Sequence, residues 1–215
     1  MNAVPAFEPE LLMSESDYLA LEEVSETKHE FVDGHAYDWP GYEYDAQGLV
    51  GATRLHNLLQ VSVLAALAAA ARSAGCQVFG SDMRLRVRFE APGRTQTRRY
   101  YYPDAMVVCD LEVEQGDDDL HVTRPCVIVE ISSRRSVRID HTEKLHVYQT
   151  IPSVQAYLIV HQDRQHVERY WRDNLGRGWQ FEVITSGSVP IPCIGQDLAL
   201  DAIYPPVSRS SAPES

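Results

Sequence analysis

Two short apolar runs organise this chain: Y-P-D-A-M-V-V-C at residues 102–109 and C-V-I-V-E-I at residues 126–131. Within both runs the apolar residues follow one another without alternation, which is typical of strands covered on both faces. Asp104 opens the first run behind a proline, and Glu130 ends the second. The two runs therefore predict neighbouring central strands that each carry a carboxylate at one end.

A lysine follows these strands at position 144. The pattern Asp140-x-x-Glu143 predicts a helix that begins at Asp140, so Lys144 falls in its first turn. Only two of the 19 basic residues, Lys28 and Lys144, are lysines. Because lysine deprotonates more readily than arginine, this usage favours a chemical role for the amine. The alternative is an exposed helix lysine.

Two carboxylates with an amine nearby can form a metal site for phosphodiester hydrolysis. Mg²⁺ prefers oxygen ligands and keeps several waters, so one or two carboxylates and a substrate phosphate suffice. The ion would neutralise charge in the transition state and acidify a bound water, which a lysine could orient or deprotonate. The alternative is that Asp104 and Glu130 each cap a strand or pair with an arginine.

The composition is that of a soluble globular protein with one core: 215 residues, 44% hydrophobic and 23% charged. The start of the chain lacks the basic and apolar regions of a signal peptide. Residues 53–73 form a nearly apolar helix, which we expect to be buried all round rather than to span a membrane. The four cysteines form no C-x-x-C pair, so we expect reduced, buried thiols in a cytoplasmic protein.

The net charge of −12 argues against a nucleic-acid partner, because phosphate binding requires basic surface. The arginines, however, are concentrated at residues 84–99 and 134–138. The alternating segment 78–89 predicts a strand with one exposed, arginine-rich face. The candidate nucleic-acid contacts are Arg84, Arg86, Arg134 and Arg135. The alternative is that these arginines only solubilise a sheet face.

The chain is predicted to have an N-terminal arm at residues 1–13, a single domain at 14–204 and a disordered tail at 205–215. Asp33-Gly34 predicts a tight hairpin, with Glu30 on or next to its first strand. A further strand is predicted over residues 100–109. The order of helices and strands predicts an α/β domain with a mixed central sheet flanked by helices.

Several motifs occur in a specific order: D-A-M-V-V-C after Tyr102-Pro103, V-E-I-S-S at 129–133 and D-x-x-E-K-x-x-x-Y at 140–148. E-F-V-D-G precedes them at 30–34, and I-P-S-V-Q-A-Y-L-I-V follows at 151–160. Together they closely resemble the Uma-type putative restriction endonuclease family, over residues 14–204. This family is a group within the PD-(D/E)xK nuclease superfamily, long labelled a domain of unknown function.

The resemblance implies a restriction-endonuclease-like core and DNA cleavage that depends on Mg²⁺ or Mn²⁺. The residues it marks as catalytic are Asp104, Glu130, Lys144 and Glu30. Its metal ligands would be Asp104, Glu130 and the backbone carbonyl of Ile131. Ser132 stands where the superfamily pattern has its lysine, so Lys144 would supply the amine from the helix. The proline that this family often has in its Ser-Pro turn is also missing, because the sequence there is Ser132-Ser133-Arg134.

Some polar residues are weaker candidates. His56 matches a family position and Asp82 flanks a strand, so either could support the metal ligands from behind. The alternatives are a core histidine and a structural acid. His141 and His146 lack metal-ligand spacing such as H-E-x-x-H, and we expect both to be exposed.

The first hypothesis is a Mg²⁺-dependent DNA endonuclease that hydrolyses phosphodiester bonds with metal-activated water. The second is a catalytically inactive nuclease-fold module for binding or assembly, which the net acidity and the missing proline favour. A small-molecule hydrolase is disfavoured by the arginines beside the motif. We expect a homodimer, because cutting both DNA strands requires two sites, and no association with membranes.

Overall fold

The structure is a computed structural model that describes residues 12–38, 53–90, 97–110, 120–132, 136–173 and 178–204. Residues 1–11 of the predicted arm, the predicted tail, Arg134 and Arg135 lie outside the described residues. The helices are α1 (Glu15–Val24), α2 (Arg54–Ser73), α3 (Val137–Ile139), α4 (Leu145–Tyr148) and α5 (Leu200–Ile203). A π-helical turn, Asp140–Lys144, joins α3 to α4.

The strands alternate with these helices along the chain. They are β1 (His29–Val32), β2 (His35–Asp38), β3 (Gln77–Gly80), β4 (Arg84–Phe89), β5 (Thr97–Tyr101), β6 (Ala105–Val108), β7 (His121–Val122), β8 (Val127–Ser132), β9 (Ala156–His161), β10 (Val167–Arg172), β11 (Trp179–Ile184), β12 (Ser188–Ile191) and β13 (Gln196–Ala199). A 3-10 turn, Pro192–Ile194, lies between β12 and β13.

These strands form two larger sheets and one two-stranded ribbon. The first sheet has the order β2-β1-β5-β4-β7, the second has the order β11-β10-β9-β8-β6-β3, and β12 pairs with β13. β8 runs parallel to β9, and β4 runs parallel to β7, whereas β6 and β8 are antiparallel. The predicted α/β fold with mixed strand pairing is confirmed. The strands, however, divide between two sheets instead of lying in one.

Two predicted strands, 78–89 and 100–109, are each divided between the two sheets. The first breaks into β3 and β4 at a turn in which Met83 N donates to Gly80 O at 3.1 Å. The second breaks into β5 and β6 at Pro103, which has no N–H to continue a ladder. Because β3 pairs with β6 and β4 with β5, the two segments pass between the sheets side by side. Asp104 therefore lies at the junction of the sheets.

The predicted hairpin is confirmed as β1–β2, which follows α1. The turn has Asp33 at φ +50° and Gly34 at φ +87°, the left-handed pair that an Asp-Gly hairpin needs. Tyr18 of α1 stacks on Phe31 of β1, with ring centroids 4.7 Å apart. Since side chains alternate along a strand, Glu30 is directed to the opposite side of β1.

α2 packs against the second sheet by one face only. Its length and apolar composition would let it cross a membrane, and 28% of its most apolar window is buried. Leu59, Val63 and Leu67 are buried in a cluster with side chains of β6, β8 and β9, whereas Leu55 and Val61 are exposed. The expectation that this helix is buried all round is wrong, because the i, i+4, i+8 spacing puts the buried residues on one stripe.

The prediction of reduced cysteines is also wrong, because the structure pairs all four in disulfides. Cys76 bonds to Cys109, and Cys126 bonds to Cys193. Cys76 directly precedes β3 and Cys109 directly follows β6, and the antiparallel pairing of these strands brings them together. Cys126 directly precedes β8, and Cys193 lies in the 3-10 turn. Strand register, which spacing in the sequence does not reveal, decides the first of these two pairings.

The arginine-rich face of β4 is not the exposed face that its alternation predicted. Arg84 and Arg86 are each 9% exposed, and only Arg88 of the three is exposed. β4 is an inner strand between β5 and β7, and Arg86 Nη1 lies 2.9 Å from His121 Nε2 of β7. As placed, Arg84 and Arg86 do not offer their guanidinium groups to a nucleic acid.

Candidate active site

Lys144 lies between two buried carboxylates. Its Nζ atom is 3.1 Å from Glu30 Oε1 and 3.1 Å from Glu130 Oε1. Glu30 belongs to β1 of the first sheet, Glu130 to β8 of the second, and Lys144 to the π-helical turn. Three of the four residues predicted to be catalytic therefore meet where the two sheets adjoin.

Asp104, the fourth predicted catalytic residue, is held beside Glu130 by the backbone. Asp104 Oδ2 accepts a hydrogen bond from Ile131 N at 2.7 Å, and β6 and β8 are antiparallel neighbours. Burial raises the pKa of Glu130 well above its usual value. Lys144 opposes that rise, and nearby negative charges, including Asp104, add to it. The acids are thus close enough to affect one another's ionisation.

Two side chains of α2 contact Asp104. His56 Nε2 lies 3.3 Å from Asp104 Oδ2, and Gln60 Nε2 donates to Asp104 O at 3.2 Å and to Oδ1 at 3.4 Å. Burial lowers the pKa of His56, but Asp104 outweighs it, so the net shift is upward, with a further contribution from the Ile131 carbonyl. His56 therefore contacts one of the predicted metal ligands, and so does Gln60, which was not predicted. The i, i+4 spacing of the two residues was the available signal.

Asp140 is part of the site, although its capping pattern predicted a helix start. The helix begins earlier, at Val137, so Lys144 is not in its first turn and Asp140 is buried within it. Burial raises the pKa of Asp140, while Lys144 and hydrogen bonds from Ser136 and Ser132 lower it. Among the residues that the structure describes, its Oδ2 atom has no hydrogen-bond partner.

Tyr148 completes the helix face that carries Lys144. Its hydroxyl donates to Glu130 Oε1 at 2.8 Å, the same oxygen that Lys144 contacts. Asp140, Lys144 and Tyr148 are spaced four residues apart, so all three lie on one face of the helical segment. This spacing was visible in the sequence. The sequence did not show that this face of the helical segment is buried, so it did not reveal a role for Asp140 or Tyr148.

Glu143, the other member of the capping pattern, is neutralised outside this group. Arg99 Nη1 donates to Glu143 Oε1 at 3.0 Å, and the Tyr101 hydroxyl donates to the same oxygen. Arg99 also makes a two-pronged contact with Asp33 at 2.9 and 2.8 Å. One arginine therefore balances two acids beside the site.

Asp82 does not support the site from behind, contrary to the prediction. Its side chain is 95% exposed, and its carboxylate pairs with Lys28. The turn between β3 and β4 directs it to solvent, whereas Ser81 Oγ accepts a hydrogen bond from Gln60 at 2.9 Å. Lys28 and Asp82 thus form an exposed acid–lysine pair away from the buried one.

The charge balance of the site suits a divalent cation. Within the described part of the chain, the buried acids at this junction are Glu30, Asp104, Glu130 and Asp140, and the nearby cationic groups are Lys144 and His56. Uncompensated buried charge is costly, so protons or a metal ion must offset the excess. Carboxylate oxygens are the ligands that Mg²⁺ and Mn²⁺ prefer.

One family covers nearly all of the chain. The family described as "Uma2: Putative restriction endonuclease" matches residues 15–201. The chain belongs to the Uma2 family. The matched range contains every residue of the candidate site, from Glu30 to Tyr148.

Two uncharacterized proteins of Synechocystis sp. (strain PCC 6803) are similar to this Uma2 protein. The protein sll1609 is 28% identical over 159 residues, which cover 74% of this chain and 80% of that protein. The protein slr1290 is 26% identical over 192 residues, which cover 89% of this chain and 91% of that protein. The Uma2 protein therefore matches both relatives over most of their length.

A crystal structure from Anabaena variabilis, described as a putative nuclease belonging to DUF820, resembles this Uma2 protein. The TM-score is 0.62, and the match covers 88% of this chain and 96% of that chain. The sequence identity is 17%. At this identity the similarity shows a common fold.

Proposed function

We propose that this Uma2 protein is a divalent-metal-dependent DNA endonuclease. The observation that carries the proposal is the Lys144 ammonium held between Glu30 and Glu130, with Asp104 on the neighbouring strand. Buried ionised groups are costly to a fold. Four acids and a lysine gathered at one sheet junction are therefore better explained by a chemical task than by stability.

The metal ligands would be Asp104, Glu130 and the backbone carbonyl of Ile131, with Asp140 supplying an additional oxygen. When bound, Mg²⁺ or Mn²⁺ would offset the charge of the acids and of the reacting phosphate and acidify a coordinated water. His56 and Gln60 hold Asp104 in place from α2. The hydrogen bond from Ile131 N to Asp104 keeps the two acid-bearing strands in register.

Lys144 would position the attacking water and stabilise negative charge on the phosphate. Glu30 and Glu130 keep its ammonium at the sheet junction, and Tyr148 fixes the Glu130 oxygen that it contacts. Glu30 thus acts through Lys144. This division of roles explains why the N-terminal hairpin contributes a buried acid to a site built otherwise from the second sheet and its helix.

DNA is the substrate that the family assignment favours, whereas the net charge of −12 opposes binding of any polyanion. We infer that charge neutralisation by the metal offsets this repulsion. A homodimer, which would cut both strands, and a cytoplasmic location belong to the same proposal. The acidity favours a second candidate: a nuclease-fold module that binds or assembles without cleaving.

A plasmid-nicking assay tests the proposal. Wild type should convert supercoiled DNA to nicked or linear forms with Mg²⁺ or Mn²⁺ and lose this activity in chelator. Asp104→Asn and Lys144→Met should each reduce the rate at least about a hundredfold. The matched controls are Asp82→Asn and Lys28→Met, which alter the exposed acid–lysine pair and should cleave like wild type.

The same assay separates the candidates. Folded wild type that cleaves neither DNA nor RNA with either metal would overturn the enzyme proposal. If that protein still binds DNA, the non-catalytic module is the better account. Equal cleavage by wild type and Asp104→Asn would show that the activity comes from another site or from a contaminant.

A further inference from the structure

A second group of metal-ligating side chains lies outside the candidate nuclease site. His141 Nε2 is 2.7 Å from Glu168 Oε2, and His161 Nε2 is 2.8 Å from Glu168 Oε1. His166 Nε2 is 3.7 Å from Glu168 Oε1. We call these four residues the histidine–glutamate cluster. Its imidazoles thus converge on one carboxylate, and the expectation that His141 is a simple exposed histidine is wrong.

Separate elements build this cluster. His161 ends β9, His166 and Glu168 lie at the start of the antiparallel β10 segment, and His141 comes from the π-helical turn. The Tyr204 hydroxyl oxygen lies 2.8 Å from the carbonyl oxygens of both His161 and His166, so its one proton is shared between them and holds the hairpin closed. The histidines are therefore brought together by the tertiary fold, and they have no compact motif in the sequence.

The geometry points to a binding site for a divalent transition-metal ion of the Zn²⁺ class, with His141, His161 and Glu168 as ligands, and we propose this site. The three ligand atoms lie within 4.8 Å of one another. Small side-chain movements would bring them to bond lengths of about 2.0–2.2 Å. Two imidazole nitrogens and one carboxylate, with positions left for water, are a donor set typical of Zn²⁺ and Fe²⁺, whereas Mg²⁺ prefers oxygen.

Two further contacts suit a metal site. The Tyr170 hydroxyl donates to Glu168 Oε2 at 3.2 Å, the kind of outer hydrogen bond that orients a ligating carboxylate. His166 lies beside the three ligands, with its Nε2 atom 3.7 Å from Glu168 Oε1. The side chains are 11–26% exposed, so an ion can enter from solvent without the fold opening.

The consequence of binding follows from where His141 lies. It is next to Asp140 and three residues before Lys144, in the same π-helical turn. An ion at the cluster would fasten this turn to the β9–β10 hairpin and so hold the segment that carries the catalytic lysine. Zn²⁺ binding at this site does not depend on the proposed nuclease activity, because none of its ligands is a proposed metal ligand of the candidate active site.

The experiment is a Zn²⁺ titration of the full chain by calorimetry, after chelator treatment and without reductant, so that the disulfides persist. Co²⁺ absorption in the visible range serves as the second readout. With excess Mg²⁺ present to compete at the acid site, wild type should bind Zn²⁺ and melt at a higher temperature, and its Co²⁺ form should show a spectrum typical of histidine ligands. His161→Asn and Glu168→Gln should each weaken Zn²⁺ binding at least about tenfold and remove the thermal shift.

Two control variants make the result specific. His146→Asn changes an exposed histidine on α4 and should bind Zn²⁺ like wild type. Asp104→Asn changes the nuclease site and should also leave this Zn²⁺ binding unchanged. The proposal is overturned if wild type binds no Zn²⁺, if folded His161→Asn and Glu168→Gln bind it as wild type does, or if Asp104→Asn alone abolishes it. Loss of nuclease activity alone would leave this result unaffected.

Discussion

Lys144 Nζ lies 3.1 Å from Glu130 Oε1, although the two residues belong to different elements and are 14 positions apart. The contact exists because the helical segment after β8 folds back over the end of that strand. Glu30 reaches the same ammonium from the other sheet. The Lys144–Glu130 ion pair therefore forms only when the two sheets and the helical segment are assembled. Its contribution to the free energy of unfolding can be measured.

Replacing Lys144 with methionine should destabilise the metal-free protein by about 3–5 kcal/mol, because it leaves buried carboxylates without their counter-charge. Urea unfolding in chelator measures this. Adding Glu130→Gln should recover part of the loss, and the double variant compared with both single variants gives the coupling energy of the pair. Lys28→Met, in the exposed pair with Asp82, should cost less than about 1 kcal/mol. Equal costs at the two lysines would contradict the buried geometry.

Asp140→Asn should have opposite effects on stability and on metal binding. The substitution removes one of several buried negative charges, so the metal-free protein should gain about 1 kcal/mol of unfolding free energy. It also removes the partnerless oxygen, so affinity for Mn²⁺ should fall at least about tenfold. Urea unfolding and Mn²⁺ titration measure the two effects. Asp201→Asn, at an exposed position of α5, is the control, and an Asp140→Asn variant with unchanged Mn²⁺ affinity would remove Asp140 from the ligand set.

The buried tyrosines should make the fold sensitive to alkali. Burial raises the pKa of Tyr204 to about 12 and raises the pKa values of Tyr148 and Tyr157 well above the usual value. Above about pH 10 the unfolded chain releases tyrosine protons that the folded chain keeps. The folded state then binds more protons, so stability must fall as the pH rises.

Urea unfolding between pH 9 and pH 11 tests that expectation, with tyrosinate absorbance as a second readout. Each buried tyrosine contributes at most about 1.4 kcal/mol per pH unit to the slope. Tyr157→Phe should reduce the slope by up to this amount, whatever it does to stability at neutral pH. A slope that is flat in wild type would contradict the burial of these hydroxyls.

The two disulfides should each contribute stability. Cys76–Cys109 closes a segment of 33 residues and Cys126–Cys193 one of 67. Removing a bridge of such length typically costs about 2–4 kcal/mol, so Cys76→Ser with Cys109→Ser should lower the melting temperature of the oxidised protein. Thiol titration of unfolded, unreduced wild type should find no free thiol among these four, and four free thiols would contradict the pairing.

Several features of the fold and site were accessible from the sequence. The unbroken apolar runs at residues 105–108 and 127–129 mark central strands, because a strand covered on both faces has no polar alternation. That placed Asp104 and Glu130 side by side. Asp-Gly at 33–34 indicated the hairpin that carries Glu30, because so few residues tolerate positive φ at both positions.

Only the tertiary structure decided which faces of the strands and helices are buried and which distant residues come into contact. Local periodicity cannot show that β4 lies inside a sheet, so the arginine face was wrongly expected to be exposed. Nor can it show that Asp140 is buried beside Lys144, that the cysteines pair through strand register, or that His141 meets Glu168. By itself the sequence determined the strands, the hairpin and the acids they carry, because backbone geometry and alternation are local. The junction of the two sheets depends on long-range packing. So do the ion pairs and the pKa shifts of the acids buried at that junction.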